Sequence, residues 1–467
     1  MEKPSSAGGV ERFFEKAAGI IIFLLMSGLI AMFFYLLIRF TLIKPASQAL
    51  VIALPIIWVG AFWLILKFPK SRLLFALTAI SIILPLYIFE LYQSFRKIDL
   101  AFFSKGNKGI AEDTRTDMEV LRDLQAQGKD ATVFTALSTM TGIESQDIKE
   151  LKEVFPMRIN GKEIIPLSAQ SLKPTILCNE DGSWIVYQSD EQGFNNPKGL
   201  YNPGKVDMAL LGDSFVHGYC VAPDKNLSAL LRKAYPGTIN FGVGGAGTLT
   251  RFAIFKEYIQ ALRPKTVLYI YTDSTLSRIQ NEGRLKIYLN KGFQQHLSLL
   301  QPQLDEGYGK FVHALQDYWQ HTNQLGFELE TNLWVRILTL KNTRDQIGFF
   351  WDGIKEGDNK KKMRDGDLAL LRQTLREIGA STQSWGGQMV FVYLYTPFQS
   401  AISDHDMILP LVRNLSIPAI DLYGIFDDVK NPVRIYSKQG GHLNEYGYAR
   451  VADGIIKGLE SLHAKAG

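Results

Sequence analysis

The chain changes character near Tyr92. Before it, three stretches carry no charged side chain: Ala17–Ile38 and Pro45–Leu66, each of 22 residues, and Leu73–Phe89, of 17. At 1.5 Å of rise per residue these lengths match a hydrocarbon layer of roughly 30 Å, so the pattern predicts three transmembrane helices within residues 1–95. The first run is too long for a cleavable signal peptide and has no small-residue cleavage site before the second. Beyond Tyr92 the apolar runs are short and alternate with amphipathic ones. Strands are predicted at Val206–Leu211, Thr238–Phe241, Thr266–Tyr271, Met389–Tyr395 and Ala419–Leu422. Helices are predicted near Arg115–Gln127, Asn226–Ala234, Leu249–Leu262, Leu368–Ile378 and Glu445–Leu459. Such alternation predicts an α/β domain, a parallel sheet with helices on both faces. Residues 277–367 interrupt it, and a gap of that length is expected to fold as a helical insertion. The chain thus divides into a membrane anchor over 1–95, a tether and lead-in subdomain over 96–200, and the α/β domain over 201–467.

The basic residues orient the anchor. Lys3, Arg12, Lys16, Lys67, Lys70 and Arg72 lie on one side of the predicted spans, and only Arg39 and Lys44 on the other. This bias puts the amino terminus in the cytoplasm and delivers the α/β domain to the extracytoplasmic, periplasmic side of the plasma membrane. The net charge is only +5 and no long basic run occurs, which argues against nucleic acid as a partner. With no CxxC pair, HExxH or glycine-rich phosphate loop, neither a metal nor a nucleotide cofactor is implied. Within the insertion, Phe293, Tyr318, Trp319, Phe327, Trp334, Phe349, Phe350 and Trp351 suit an acyl or sugar groove, a membrane surface or a docked partner. They suit ordinary helix cores equally well.

The candidate chemistry lies at two distant points. Val206–Leu211 runs into Gly212-Asp213-Ser214-Phe215, a sharp break that leaves a serine hydroxyl where a strand meets a helix. A serine there caps the helix or acts as a nucleophile, and a nucleophile needs an imidazole to take its proton. Among seven histidines, His442 in Gly441-His442-Leu443-Asn444-Glu445 is the best candidate. Asp213 reads as structural, and His217, three residues after Ser214, reads as a rim residue of the pocket. A glycine-rich block, Asn240-Phe241-Gly242-Val243-Gly244-Gly245-Ala246-Gly247-Thr248, lies between.

These three blocks, in this order, resemble those of the SGNH/GDSL hydrolases. Cys178-Asn179-Glu180-Asp181-Gly182 and the segment Tyr187–Pro197 resemble the lead-in of the family's bacterial membrane-anchored branch, so the resemblance covers roughly Arg115–Leu459. It implies a flavodoxin-like sheet, Ser214 as nucleophile, His442 as base, and the backbone N–H groups of Ser214 and Gly245 as oxyanion donors. Two family features are missing. The family's asparagine after the third strand, its third oxyanion donor, is replaced by Thr275 in an ungapped reading or Thr272 in a gapped one, and either hydroxyl is expected to serve as a poor third donor. The acid expected two or three residues before the histidine falls on Gly440 and Gln439, leaving Asp421, Asp427, Asp428 or a backbone carbonyl to hold the ring. Cys178 and Cys220 are expected to form a disulfide between the lead-in and the helix after Ser214 in an oxidising compartment.

The resemblance implies a membrane-anchored esterase or O-acyltransferase acting on acyl groups of extracytoplasmic glycan. Its partners would be the ester substrate, the lipid bilayer and other membrane subunits. The two missing groups support a rival of another class, a decayed SGNH domain kept as a structural or docking subunit of a membrane complex. The basic bias itself makes a test: a reporter fused after Gly467 is expected to behave as extracytoplasmic and one inserted at Pro69 as cytoplasmic. The reverse pattern would overturn the assignment of compartment.

Overall fold

The computed structural model describes residues 81, 84–91, 113–136, 154–273, 275–331, 337, 343, 357–396, 403–429, 434–438 and 441–466. The first two charge-free runs lie outside these residues, and of the third only the end lies within, where 84–91 are helical. Among the described residues no helix is long and apolar enough to cross a membrane. The chain forms two compact units, residues 1–107 with 323–355, and residues 108–322 with 356–467. Part of the insertion therefore groups with the amino-terminal segment. In that first unit the buried Glu90 accepts hydrogen bonds from the Thr343 N–H and hydroxyl, both at 2.8 Å.

The second unit opens with α1 (Asp117–Ala126), whose start is closed by a reciprocal Thr116–Glu119 capping box. A small lead-in sheet follows: β1 (Thr132–Val133) runs parallel to β4 (Pro174–Cys178), which pairs antiparallel with β5 (Ile185–Gln188). Between them β2 (Arg158–Ile159) and β3 (Lys162–Glu163) form a separate two-stranded ribbon. The main sheet contains β6 (Met208–Leu211), β7 (Thr238–Asn240), β8 (Thr266–Thr272), β9 (Gln388–Leu394) and β10 (Ala419–Asp421), all parallel, in the order β10-β9-β8-β6-β7. The first strand of this sheet is thus flanked by the second and the third, the flavodoxin-like order. Its reversal lies between β6 and β8, where the carboxyl ends of the strands open a crevice for ligands.

Helices α2 (Ser214–His217), α3 (Leu227–Arg232), α4 (Thr248–Ile254), α5 (Gln301–Thr331, in this unit as far as Thr322), α6 (Gly357–Ser384), α7 (His405–Asn414) and α8 (Glu445–Ala466) complete the unit. The strands are apolar along their length because both faces are covered. Met208 and Leu210 enter one core with Leu227, Leu231, Val451 and Ile455 of α3 and α8. Ala209 and Leu211 enter the other with Leu249 and Phe252 of α4 and Leu371 and Leu375 of α6.

The helix expected over Leu249–Leu262 is α-helical only to Ile254 and continues as a π-helical turn over Phe255–Ile259. The insertion starts with 3₁₀ turns, Ser277–Leu289 and Leu297–Leu299, before α5. Of its aromatics, Phe293 and Tyr318 pack against the main core, while the Trp319, Phe327, Trp334, Phe349, Phe350 and Trp351 side chains lie outside the described residues.

The insertion also reaches the functional edge. Gly247 has no side chain with which to cap α4, and Glu282 substitutes for it from the 3₁₀ segment. Its buried carboxylate accepts from the N–H groups of Gly247, Leu249 and Thr250 at 2.8, 2.8 and 3.1 Å, and from the Thr250 hydroxyl at 2.5 Å. Replacing Glu282 by Ala would leave these donors unpaired in the interior, and we expect a loss of about 2–3 kcal/mol in urea unfolding. Glu282→Gln keeps an acceptor and is expected to lose less.

Candidate active site

Ser214 begins α2 immediately beyond β6, beside the switch point of the sheet. Asp213 caps that turn by accepting the Phe215 N–H at 3.1 Å, and Gly218 ends it in a left-handed conformation. The exit of β7 passes so close that a Cβ on Gly242 would overlap the Val216–His217 peptide, which explains a glycine there. His442 comes from the other end of the chain. Its loop is tied by a Tyr436–Leu443 bridge and by the Asn444 amide, which donates to the carbonyls of Arg434 and Tyr436 at 3.0 Å each.

These placements bring His442 Nε2 to 2.8 Å from Ser214 Oγ. On the other side of the ring, Nδ1 lies 2.6 Å from Glu180 Oε1. A carboxylate only accepts, so the proton sits on Nδ1 and Nε2 is left to accept the serine hydroxyl. Glu180 Oε2 also accepts the His442 N–H at 2.9 Å and the Ser437 hydroxyl at 2.5 Å. Burial pushes the Glu180 carboxyl up, but the hydrogen bond and charge of His442, with the Ser437 hydroxyl, hold it below the ordinary glutamate range.

The acid is therefore neither Asp421, Asp427 nor Asp428. Asp421 faces His405 Nε2 at 2.9 Å, Asp428 pairs with Arg450 at 2.8 Å, and Asp427 folds back against Gly424. Glu180 enters from the lead-in, two residues past β4, and the positions expected to carry the acid, Gln439 and Gly440, lie outside the described residues. Gly441 makes room for it, since a Cβ there would overlap the Glu180 carboxylate, but no feature along the chain links the two. Cys178 and Cys220 are joined as a disulfide, which fastens the strand before Glu180 to the segment after Ser214.

The oxyanion side differs from expectation. Gly245 takes φ 80, a left-handed conformation, and among the described residues neither its N–H nor that of Ser214 has an internal acceptor. Two backbone donors are thus open. The threonines are not. Thr272 Oγ1 donates to Asp213 Oδ2 at 2.6 Å, while Thr275 Oγ1 accepts the Thr272 N–H and an Arg251 N–H at 3.1 Å each. Arg251 is wholly buried, donates to the Ile270 carbonyl at 2.6 Å and lies 3.4 Å from Asp213. The Thr272 hydroxyl and the Arg251 guanidinium thus hold Asp213, the residue before Ser214, and the Thr275 hydroxyl holds both of them in turn.

His217 is not a rim residue, being 2% exposed. Its Nδ1 accepts the Gly244 N–H at 3.2 Å and its Nε2 lies 3.2 Å from the Tyr187 hydroxyl. Burial, with a smaller contribution from the charge of His442, depresses its pKa from 6.5 to about 3. Among the described residues, Glu180, Cys220 and His442 are the one cluster with metal-type donors within 4.8 Å of one another. The Cys220 sulfur is engaged in the disulfide and the other two groups bind each other, so the donor set does not fit a metal.

No family model matches the chain, and no curated protein matches it. Among solved structures it is similar to a two-domain esterase (CEX) active on acetylated mannans, at 13% identity over 55% of this chain and 49% of that one, TM-score 0.31. The chain thus spans about half the length of that esterase. It is similar also to a putative lipolytic protein of the G-D-S-L family from Desulfitobacterium hafniense DCB-2, at 11% identity over 54% and 99% of the two chains, TM-score 0.30. A lipase/acylhydrolase from Enterococcus faecalis shows 12% identity over 55% and 96%, TM-score 0.31.

The state of His217 makes a prediction about stability. Between pH 6.5 and about 3 the unfolded chain binds a proton at this site that the folded chain excludes, so stability is full above 6.5 and falls as pH drops through this window. His217→Gln is expected to flatten this part of the stability–pH curve, which in the wild type slopes by at most about 1.4 kcal/mol per unit from this group. An unchanged slope in urea unfolding from pH 7 to 4 would show that the folded imidazole titrates normally. The strand order and the pairing of Ser214 with His442 agree with the SGNH resemblance of the ordered sequence blocks.

Proposed function

We propose that the protein is a serine esterase in which Ser214 is the nucleophile, His442 the general base and acid, and Glu180 the carboxylate that orients the imidazole. The unbroken line Ser214 Oγ, His442 Nε2, His442 Nδ1, Glu180 Oε1, at 2.8 and 2.6 Å, is the observation that carries this reading. Ser214 Oγ attacks the ester carbonyl as its proton passes to Nε2. Glu180 stabilises the imidazolium so formed. The N–H groups of Ser214 and Gly245 receive the oxyanion. On collapse, the leaving alcohol takes the proton from His442 and the acyl group stays on Ser214 until water, deprotonated by the same imidazole, releases it. An alcohol in place of water makes the same site a transferase.

The expected absence of an acid was half the motive for the decayed-subunit reading, and Glu180 removes it. The substrate class carried over from the membrane-anchored branch of the family is an acyl ester of extracytoplasmic glycan. A disulfide suits that compartment. The lipid bilayer and further membrane subunits complete the proposed setting.

Purified wild type is expected to take a fluorophosphonate probe and to hydrolyse nitrophenyl acetate, with Ser214→Ala inert in both. Glu180→Gln should lower kcat by about 10³- to 10⁴-fold with little change in KM, since the imidazole loses its anionic partner. A wild type indistinguishable from Ser214→Ala in both assays would return the protein to the docking-subunit reading.

A further inference from the structure

His217 lies one helical turn after the nucleophile, and no step of the proposed ester hydrolysis uses it. We propose that His217 is a positioning residue for the oxyanion hole, fixing the peptide next to the one that carries the Gly245 donor by accepting the Gly244 N–H, a role that rests on the esterase reading. The acceptor is directional. Nδ1 accepts only if the ring is neutral with its proton on Nε2, and the Tyr187 hydroxyl beside Nε2 holds that tautomer. The ring itself is clamped edge-on by Phe134, with centroids 4.6 Å apart at 81°, by Tyr187 at 5.5 Å and 79°, and by Tyr219 at 5.5 Å and 71°. Its own carbonyl accepts from the Asn195 amide at 2.9 Å, so the backbone that bears the imidazole is held as well.

The segment so held needs holding. Gly244 and Gly245 are adjacent glycines, the second at φ 80, and each ordered backbone position costs about 1–2 kcal/mol of conformational entropy. A Cβ on Gly244 would overlap the Tyr219 ring, so packing forbids a stiffer residue and a hydrogen bond must supply the order. An oxyanion donor acts through being preorganised, so a free Gly244 peptide would weaken stabilisation of the transition state more than binding of the ground state. Burial keeps the imidazole uncharged, and a protonated Nδ1 would oppose the Gly244 N–H with a second donor.

The test compares His217→Leu, which removes the acceptor, with His217→Gln, whose amide offers an acceptor and a donor. On nitrophenyl acetate His217→Leu is expected to lose about 10² in kcat with KM within about threefold, the size found for loss of one oxyanion donor. Affinity for a boronic acid that forms a tetrahedral adduct on Ser214 should fall by a similar factor, and His217→Gln should recover about tenfold of both. Wild-type kcat and boronate affinity in a folded His217→Leu overturn the proposal, as does an equal loss in the Leu and Gln variants. If His217→Leu does not fold, Tyr187→Phe decides: freeing the tautomer should lower kcat about tenfold at constant KM, and an unchanged kcat is again contrary. A wild type that takes no fluorophosphonate and cleaves no ester fails the esterase reading itself, which these variant comparisons keep separate.

Discussion

The contact between the Glu180 carboxylate and the His442 imidazole organises the site. A partly buried carboxylate must be paired and hydrogen-bonded to remain charged, and here one oxygen takes the ring N–H while the other takes the backbone N–H of the same residue and the Ser437 hydroxyl. Much of the neighbourhood follows from that demand. Gly441 must lack a Cβ because the carboxylate fills its place. The adjacent Asp181 accepts the Lys438 N–H at 2.7 Å and so aligns the two segments on either side of the contact. The lead-in sheet, which contributes no strand to the main sheet, becomes part of the site because it delivers this one side chain.

A second constraint lies under the nucleophile. A wholly buried arginine is tolerated only with an acidic partner, and Arg251 finds it in Asp213. The Thr272 hydroxyl completes the arrangement by donating to the same carboxylate. This network locks the turn that presents Ser214, and it engages both threonine hydroxyls that were candidates for a third donor. Rigidity of the turn and a third hydroxyl donor are thus alternatives at this place. A site resting on two backbone donors depends more heavily on how well each is aimed.

Much of this was legible in the sequence where the signal is local. Five apolar runs broken by helical stretches read as a parallel sheet because both faces are buried, and Ser214 and His442 stood out because each follows a glycine break. The acid did not, since it lies 262 residues from His442 and only tertiary packing brings it there. The threonines of the third block read as donors because their residue type permits it, but the buried guanidinium that engages Thr275 was invisible along the chain. His217 read as a rim residue from its place three residues after Ser214, and burial among three aromatic rings overrides that placement. The insertion read as one block, yet residues 323–355 group with the amino-terminal unit, a division no composition shift announces.

The disulfide has a consequence beyond packing. It closes a loop across a separation of 42 residues, and a crosslink over that length removes about 4 kcal/mol of freedom from the unfolded chain in the chain-entropy account. One end lies two residues before the acid and the other six residues after the nucleophile. Even where the sheet is frayed or not yet formed, the tether keeps the two at a high effective concentration, so that only the histidine arm must find its place. Assembly of three residues from three distant parts of the chain is thereby reduced to a meeting of two bodies.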